Sequence, residues 1–443
     1  MYKKYLTFLI SVIVVSQISA ASLSFDVKKY GAKGDGVSDD YNAIMNCIRA
    51  ALKENKSKIL FPLGKYKISQ SIVLFYLDND ITIEGISNTS DLPEIITTGN
   101  FSILSFRGFL YDESKGIARV SNLKLTSANL PYSLTHPKIN KPEWNYGLSI
   151  TDKKEAYIDN VVVNNVYGEG IFIATTQLTD IPLSARFKNV EIKNSKIINV
   201  WGFFPKDDSY GDGIYISNVE KGLIENNEIR NDFIFTKQLG RAGLVLEYMT
   251  QNCVVRNNYI FGYDRGIHIE ADYGGHILNN NKIEGTDFGI TIFSPNIRAQ
   301  NRPIEISDNL ISNVKLPKNN RLNKIRGILG VSDRTLLDFT APDNSRTGSL
   351  IKNNQFLIDG EYDYFSNSII NIKAENVTLL DNLYTVKNVN KLTHDINYFI
   401  FTKNFTAKGE KLSGVSAINL FNSSIFDKKK FLKNNTTNKA VMR

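Results

Sequence analysis

Two glutamates, Glu247 and Glu270, follow short phrases of glycine and alternating apolar residues. The phrases are Gly243-Leu244-Val245-Leu246 and Gly266-Ile267-His268-Ile269. The pattern recurs at Gly170-Ile171-Phe172-Ile173, Gly213-Ile214-Tyr215-Ile216 and Gly289-Ile290-Thr291-Ile292. In an extended chain the first and third residues after glycine face one side, and the second and fourth face the other. The second-position column reads Phe172, Tyr215, Val245, His268, Thr291; the fourth reads Ala174, Ser217, Glu247, Glu270, Phe293. The residues before glycine read Glu169, Asp212, Ala242, Arg265, Phe288. Stacked as adjacent strands, Glu247 and Glu270 would lie ~4.8 Å apart on an outer face. His268 would sit beside Glu270, with Asp212 and Arg265 at one rim.

Like charges in register repel, so one carboxyl tends to keep its proton. A protonated acid beside an ionised carboxylate is what glycoside hydrolysis requires. Glu247, Glu270, Asp212 and His268 are therefore the candidate catalytic residues. The spacing does not say which glutamate is the acid, nor whether configuration is retained or inverted. The bland alternative is a solvated face on which Arg265 or His268 neutralises the glutamates.

The candidate substrate-binding residues are Arg265, Tyr215, Trp201, Tyr210 and Trp144. Arg265 would hold substrate or restrain a carboxylate. The stretch Trp201-Gly202-Phe203-Phe204-Pro205-Lys206-Asp207-Asp208-Ser209-Tyr210 leads into the Asp212 phrase and offers aromatic faces for sugar rings. Phe203 and Phe204 could equally pack over an edge. Trp144 lies in a second insertion. No cofactor is expected, with calcium left open because Asp207, Asp208 and Asp212 could supply oxygen ligands. A competing chemistry is β-elimination or epimerisation of uronate polymers, for which Arg265, Arg241, His268 and Tyr215 could provide cation and base. The aligned faces lean acidic, which ranks it second. A third class binds or assembles glycan without catalysis.

A second repeated phrase positions these residues. Ile224-Glu225-Asn226-Asn227-Glu228-Ile229 returns at Val255–Ile260 and Leu278–Ile283, with weaker copies at Ile306–Ile311, Ile351–Phe356 and Leu379–Tyr384. A repeat of 20–30 residues built from short strands is the signature of a parallel β-helix. One coil cannot bury its own apolar face, and stacking buries a continuous column. Asn at equivalent corners can adopt the left-handed conformation and hydrogen-bond along the stack, so the Asn-Asn phrase is structural. Upstream, Ile44, Cys47, Ile48, Ala51 and Leu52 share one face of a helix expected over 39–53, with Ser38 or Asp39 as N-cap. That helix is the natural cover for the exposed end of the column.

The chain has 443 residues, 42% hydrophobic and 22% charged, a globular composition. Cys47 and Cys253 form no C-x-x-C motif, so no zinc or redox site is expected. Removing the +2 of Lys3 and Lys4 and the +7 of residues 403–443 from the formal +8 leaves the body at −1. A near-neutral body argues against nucleic acid. Lys3 and Lys4, the apolar run from Tyr5 to Val15 and Ser19-Ala20-Ala21 read as a leader cleaved near Ala20 or Ala21. The mature chain is then expected to be secreted or periplasmic, without a transmembrane segment. The division expected is a leader over 1–21, a segment with the capping helix over 22–57, the β-helix over 58–390 and a basic tail or cap over 391–443.

Val27-Lys28-Lys29-Tyr30-Gly31-Ala32-Lys33-Gly34-Asp35-Gly36-Val37-Ser38-Asp39-Asp40, then Ala43-Ile44, then Phe61-Pro62-Leu63-Gly64-Lys65-Tyr66-Lys67-Ile68, resembles the opening of the pectate lyase superfamily domain. That domain is shared by rhamnogalacturonase- and epimerase-like proteins, glycosidases and phage tailspikes. With the repeats, the resemblance covers about residues 25–390. It implies an all-β, right-handed parallel β-helix with an N-terminal capping α-helix, acting on polysaccharide. The N-T-D, G-D-D, G-H-G and R-I-K motifs of polygalacturonases are missing; Gly211-Asp212-Gly213 and Gly274-Gly275-His276 are near but not equivalent. The resemblance implies a fold and a substrate class. It leaves the catalytic set and the oligomeric state open.

Overall fold

The computed structural model describes residues 22–442 apart from 76–78, 100, 112–115, 129–144, 202–210, 233–239, 294–301, 317–333, 342–345, 363–366, 389–393, 400–404, 422–432 and 438–440. The leader expected over 1–21, with its cleavage point, and the candidates Trp144 and Tyr210 lie outside the described residues, as do Asp207 and Asp208. Trp201 ends a strand over Lys196–Trp201, but its side chain is likewise outside them.

Each coil contributes strands to three columns, and every pairing between coils is parallel. In the coil before the site the strands are Gly222–Glu225, Glu228–Arg230 and Gly240–Glu247. They pair onward with Cys253–Arg256, Tyr259–Phe261 and Tyr263–Glu270 respectively. The interior is one apolar cluster running from Val27 to Ile418, built from a single inward-facing Ile, Val or Leu set per strand. The stack is therefore a parallel β-helix, as the repeat phrases require.

The Asn-Asn phrase forms the corner between the first two columns. Its first Asn is left-handed: Asn226 (φ 58°), Asn257 (φ 58°) and Asn280 (φ 53°). Its second Asn points inward and is buried. Asn227, Asn258, Asn281, Asn309, Asn354 and Asn382 form a ladder in which each backbone N–H donates to the next Asn's Oδ1, at 2.9–3.0 Å for most rungs and 3.1 Å for Asn258 to Asn281. Glu410 and Asn435 continue it.

The glycine phrase enters the third column. A Cβ on Gly243 would lie 2.7 Å from the Gly266 carbonyl and 2.4 Å from Ile260, and one on Gly266 would lie 2.5 Å from the Gly289 carbonyl. Close approach of successive coils therefore explains the recurring glycine.

The single α-helix of eight or more residues among the described residues is Tyr41–Ala51, and Ile44, Cys47, Ile48 and Ala51 are buried. Its N-cap is Asp40, not Ser38 or Asp39. The Asp40 carboxylate accepts from the backbone N–H groups of Lys33 and Gly34, so it fastens the preceding glycine turn instead of the first helical turn. Strands Leu23–Asp26 and Asp35–Asp39 already pair with Lys56–Pro62 and Lys65–Ile68. At the other end, His394–Phe399, Ala417–Phe421 and Val441–Met442 extend the third column. The ladder thus begins before residue 58 and continues past 390. Cys47 and Cys253 are both buried free thiols. No helix of the described residues is long and apolar enough to cross a membrane.

Candidate active site

The third column carries the acidic face in the register that the glycine alignment gives. Glu247 pairs with Glu270, Val245 with His268, and Ala242 with Arg265. Upstream, Phe172 pairs with Tyr215, and Tyr215 with Val245. Downstream, His268 pairs with Thr291 and Glu270 with Phe293. Inward Leu244, Leu246, Ile267 and Ile269 are fully buried, and they hold the alternate residues outward.

At the end of these strands the chain turns through a left-handed residue: Asn218 (φ 58°), Tyr248 (φ 55°) and Ala271 (φ 52°). Asn tolerates this conformation, whereas Tyr and Ala do so at a cost. The two strained corners follow Glu247 and Glu270 directly.

Glu247 and Glu270 differ in environment although they are neighbours in one column. The Glu247 side chain is 12% exposed and the Glu270 side chain 41%. Burial pushes the Glu247 carboxyl up to about 7, against the opposing pull of Arg241 and of a 2.8 Å hydrogen bond donated by the Tyr215 hydroxyl. Glu270 is held below the usual carboxylate range, chiefly by a 2.9 Å hydrogen bond with His268 Nε2. Burial lowers the proton affinity of His268, so the imidazole is neutral near pH 7. An ionised Glu270 only accepts, which assigns the ring proton to Nε2. Nδ1 then accepts from the Thr291 hydroxyl at 2.7 Å. His268 Nε2 is 3.9 Å from Glu247 Oε1.

Beneath the pair lies a second carboxylate layer. Asp212 is fully buried, and both its oxygens accept from Arg241, through Nε at 2.8 Å and through Nη2. Asp212 Oδ1 also accepts from the Ala242 N–H at 3.1 Å. Glu169 is buried and pushed well above its ordinary proton affinity, by burial first and then by Asp212. Its Oε2 accepts from the Asp212 N–H at 3.0 Å.

Glu169, Asp212, Tyr215, Arg241, Glu247 and Glu270 line a cleft of about 310 Å³, together with Phe172, Leu178, Tyr248 and Ala271. Phe172 stacks on Tyr215 with ring centroids 5.0 Å apart.

The structure thus brings Tyr215, Glu247, His268 and Glu270 together and puts Asp212 at the same cleft. Asp212, expected at one rim with Arg265, is gripped by Arg241. Arg241 lies two residues before Gly243, so a column that compares only the residue next to glycine passes over it. Arg265 is half-buried and acts electrostatically on His268 and Glu270. Glu169 stood in the same column as Asp212, and only burial separates its role from that of a surface glutamate.

Glu247, His268 and Glu270 offer donor atoms all within 4.8 Å of one another, a set that could hold a divalent cation. Both His268 nitrogens already have protein partners, so a cation there would displace the His268–Glu270 bond. Of the aspartates considered for calcium, Asp212 is the described one, and Arg241 occupies both its oxygens. His276, in the Gly-Gly-His sequence, is buried away from this chemistry. Its Nε2 bonds Asp272 at 2.9 Å and its Nδ1 accepts from the Cys253 N–H at 3.1 Å.

Residues 108–439 match the family model described as a right-handed beta helix region. Residues 24–179 match the model for rhamnogalacturonase A/epimerase, pectate lyase-like, which includes the opening motif. No curated protein matches this chain in sequence. The N-terminal fragment of bacteriophage Phi29 gene product 12 is similar in structure at a TM-score of 0.63 and 15% identity, over 94% of this chain and 71% of that one. The Dettilon tailspike protein is similar at a TM-score of 0.54 and 13% identity, over 95% of this chain and 68% of that one. At these identities the likeness is one of fold.

Proposed function

Because this chain belongs to the right-handed β-helix family, we propose that it acts on polysaccharide and hydrolyses a glycosidic bond with Glu247 as the acid and Glu270 as the ionised partner. The observation that carries this reading is the split in proton affinity between two glutamates in register, one raised to about 7 and the other lowered. Near pH 7 a large fraction of Glu247 keeps its proton while Glu270 is charged. In the first step the bond from the anomeric carbon to the leaving oxygen breaks, and that oxygen takes the Glu247 proton. Donor oxygens within 4.8 Å of each other favour the short carboxyl separation, ~5 Å, of retaining enzymes. Glu270 then forms the new bond to the anomeric carbon. In the second step Glu247, now ionised, takes a proton from water, and that water oxygen displaces Glu270.

The remaining groups position this pair. His268, fixed by Thr291, keeps Glu270 charged and oriented. Arg241 and Asp212 form the floor, and Tyr215 orients Glu247. The Tyr215 hydroxyl is pushed well above its ordinary proton affinity by burial and by Glu247, so it stays protonated near pH 7 and leaves no phenolate to act as the base of β-elimination or epimerisation. Export through the leader at 1–21 completes the proposal, with action in the periplasm or outside the cell.

The test is a screen of the purified protein against neutral and uronate polysaccharides, reading reducing ends and ultraviolet absorbance of the unsaturated product. On an active substrate, Glu247→Gln and Glu270→Gln should each lower turnover by ~10²–10⁴-fold while keeping the folded state. Near-normal activity in both folded variants would eliminate this site. Unsaturated products, with activity lost in Arg265→Ala, would move the assignment to a lyase. Glycan binding without turnover of any polymer would make the protein a binding module.

A further inference from the structure

The cleft is lined unequally by acids and bases. Among the described residues, its lining carries four carboxyl groups, Glu169, Asp212, Glu247 and Glu270, and one cation, Arg241. That cation is already committed, since Nε and Nη2 both donate to Asp212. Carboxylates accept hydrogen bonds and, when ionised, donate none. Asp212 is taken up by Arg241, and burial favours the protonated form of Glu169, so the acceptors left to a ligand are those of Glu270 and of ionised Glu247, which suit a ligand that brings donors. A sugar hydroxyl can donate. A sugar carboxylate brings only further acceptors, and meets Glu270 and the partly ionised Glu247 as a like charge. Phe172 and Leu178 add apolar surface to the lining, which fits the C–H face of a ring. A space of about 310 Å³ lies at the small end of ligand sites.

We propose that the glycosyl unit bound at the scissile position is a neutral sugar rather than a uronate, whatever charge the polymer carries elsewhere. The inference rests on the hydrolase reading for the word scissile, but the charge selection concerns binding and is tested separately.

The probes are matched monosaccharide pairs, galactose with galacturonate, glucose with glucuronate, and mannose with mannuronate. Their binding to the intact protein is followed by saturation-transfer NMR at pH 7 and equal concentration. At least one neutral sugar should bind, and no uronate should come within ~10-fold of its neutral partner. In Glu270→Gln, which removes the fixed negative charge, the uronate of the binding pair should gain at least several-fold relative to that partner. A uronate that binds as well as or better than its neutral partner, no binding by any neutral sugar, or unchanged discrimination in Glu270→Gln would each overturn the inference. Polymers and their carboxyl-reduced forms, assayed for reducing ends, separate the two claims. Faster cleavage of the parent uronate without unsaturated product refutes the charge selection and leaves hydrolysis standing. Selective binding of neutral sugars with no cleavage refutes hydrolysis and leaves the selection standing.

Discussion

The Asn corner and the carboxylate face are both columns of polar side chains repeated in parallel register, yet their energetics are opposite. In the Asn ladder each side chain is neutral and carries both donor and acceptor. Asn281 Oδ1 accepts from Asn258 N and Nδ2 at 3.1 and 3.0 Å, while its own Nδ2 donates to Val255 O and Asn309 Oδ1 at 2.9 and 3.0 Å. Stacking satisfies every atom, so the pattern can repeat along the coils. Glu247 over Glu270 repeats once only. Two carboxylates cannot satisfy each other, and Tyr215, His268 and Arg241 are needed around them. Parallel register is thus a source of stability for self-complementary side chains, whereas like-charged ones take their proton affinity from burial and from the partners around them.

The contrast can be broken at four places. The largest effect should come from the inward face that both columns share. Ile267→Asp would bury an unpaired charge in a fully buried position, and should give no cooperative thermal transition. Asn281→Ala would strand the buried Asn258 N–H and remove the side-chain rungs to Asn258 and Asn309, and should cost about 2–4 kcal/mol in a urea titration. A cost below ~1 kcal/mol would mean that the ladder is not a structural spine.

Glu410 sharpens the comparison because it is a carboxylate inside the ladder. Burial pushes its carboxyl up to about 7, although Tyr384 and Asn382 donate to it. The folded state therefore holds a proton that the unfolded state releases near pH 4–5, so this residue makes the fold less stable as pH rises from about 4.5 to 7. Glu410→Gln should leave stability unchanged at pH 4 and raise it by about 1–3 kcal/mol at pH 8. The Tyr384 hydroxyl can turn to accept from the new amide. Equal stability of both proteins at pH 8 would contradict the assignment.

The smallest effect is expected at Tyr215. The acid reading requires kcat/KM to fall as pH rises through about 7, as Glu247 loses its proton. The Tyr215 hydroxyl favours the ionised form of Glu247, so Tyr215→Phe should move that alkaline limb to higher pH, by up to about one unit. A shift to lower pH would show that the limb belongs to another group.

The parallel β-helix, the Asn corners and the register of Glu247 on Glu270 were legible in the sequence, because each depends on local repetition. Alternation fixes which side a residue faces, and equivalent phrases must stack. The extent of the ladder was less legible. The strands at Leu23–Asp26 and beyond residue 390 belong to coils whose phrases have drifted from the repeat. Arg241 as the partner of Asp212 was not legible either, because it lies one register position away on the next coil of the same column, and no alignment by position records the diagonal reach of its long side chain. The division of labour between the glutamates depended on tertiary structure alone. Glu247 and Glu270 occupy the same place in the repeat. They differ in what packs around them: Tyr215 and the Arg241–Asp212 pair beside the one, His268 and greater solvent exposure for the other. Sequence sets which residues meet on a repeating face, whereas proton affinity follows the desolvation and the partners that neighbouring coils and loops bring to each one.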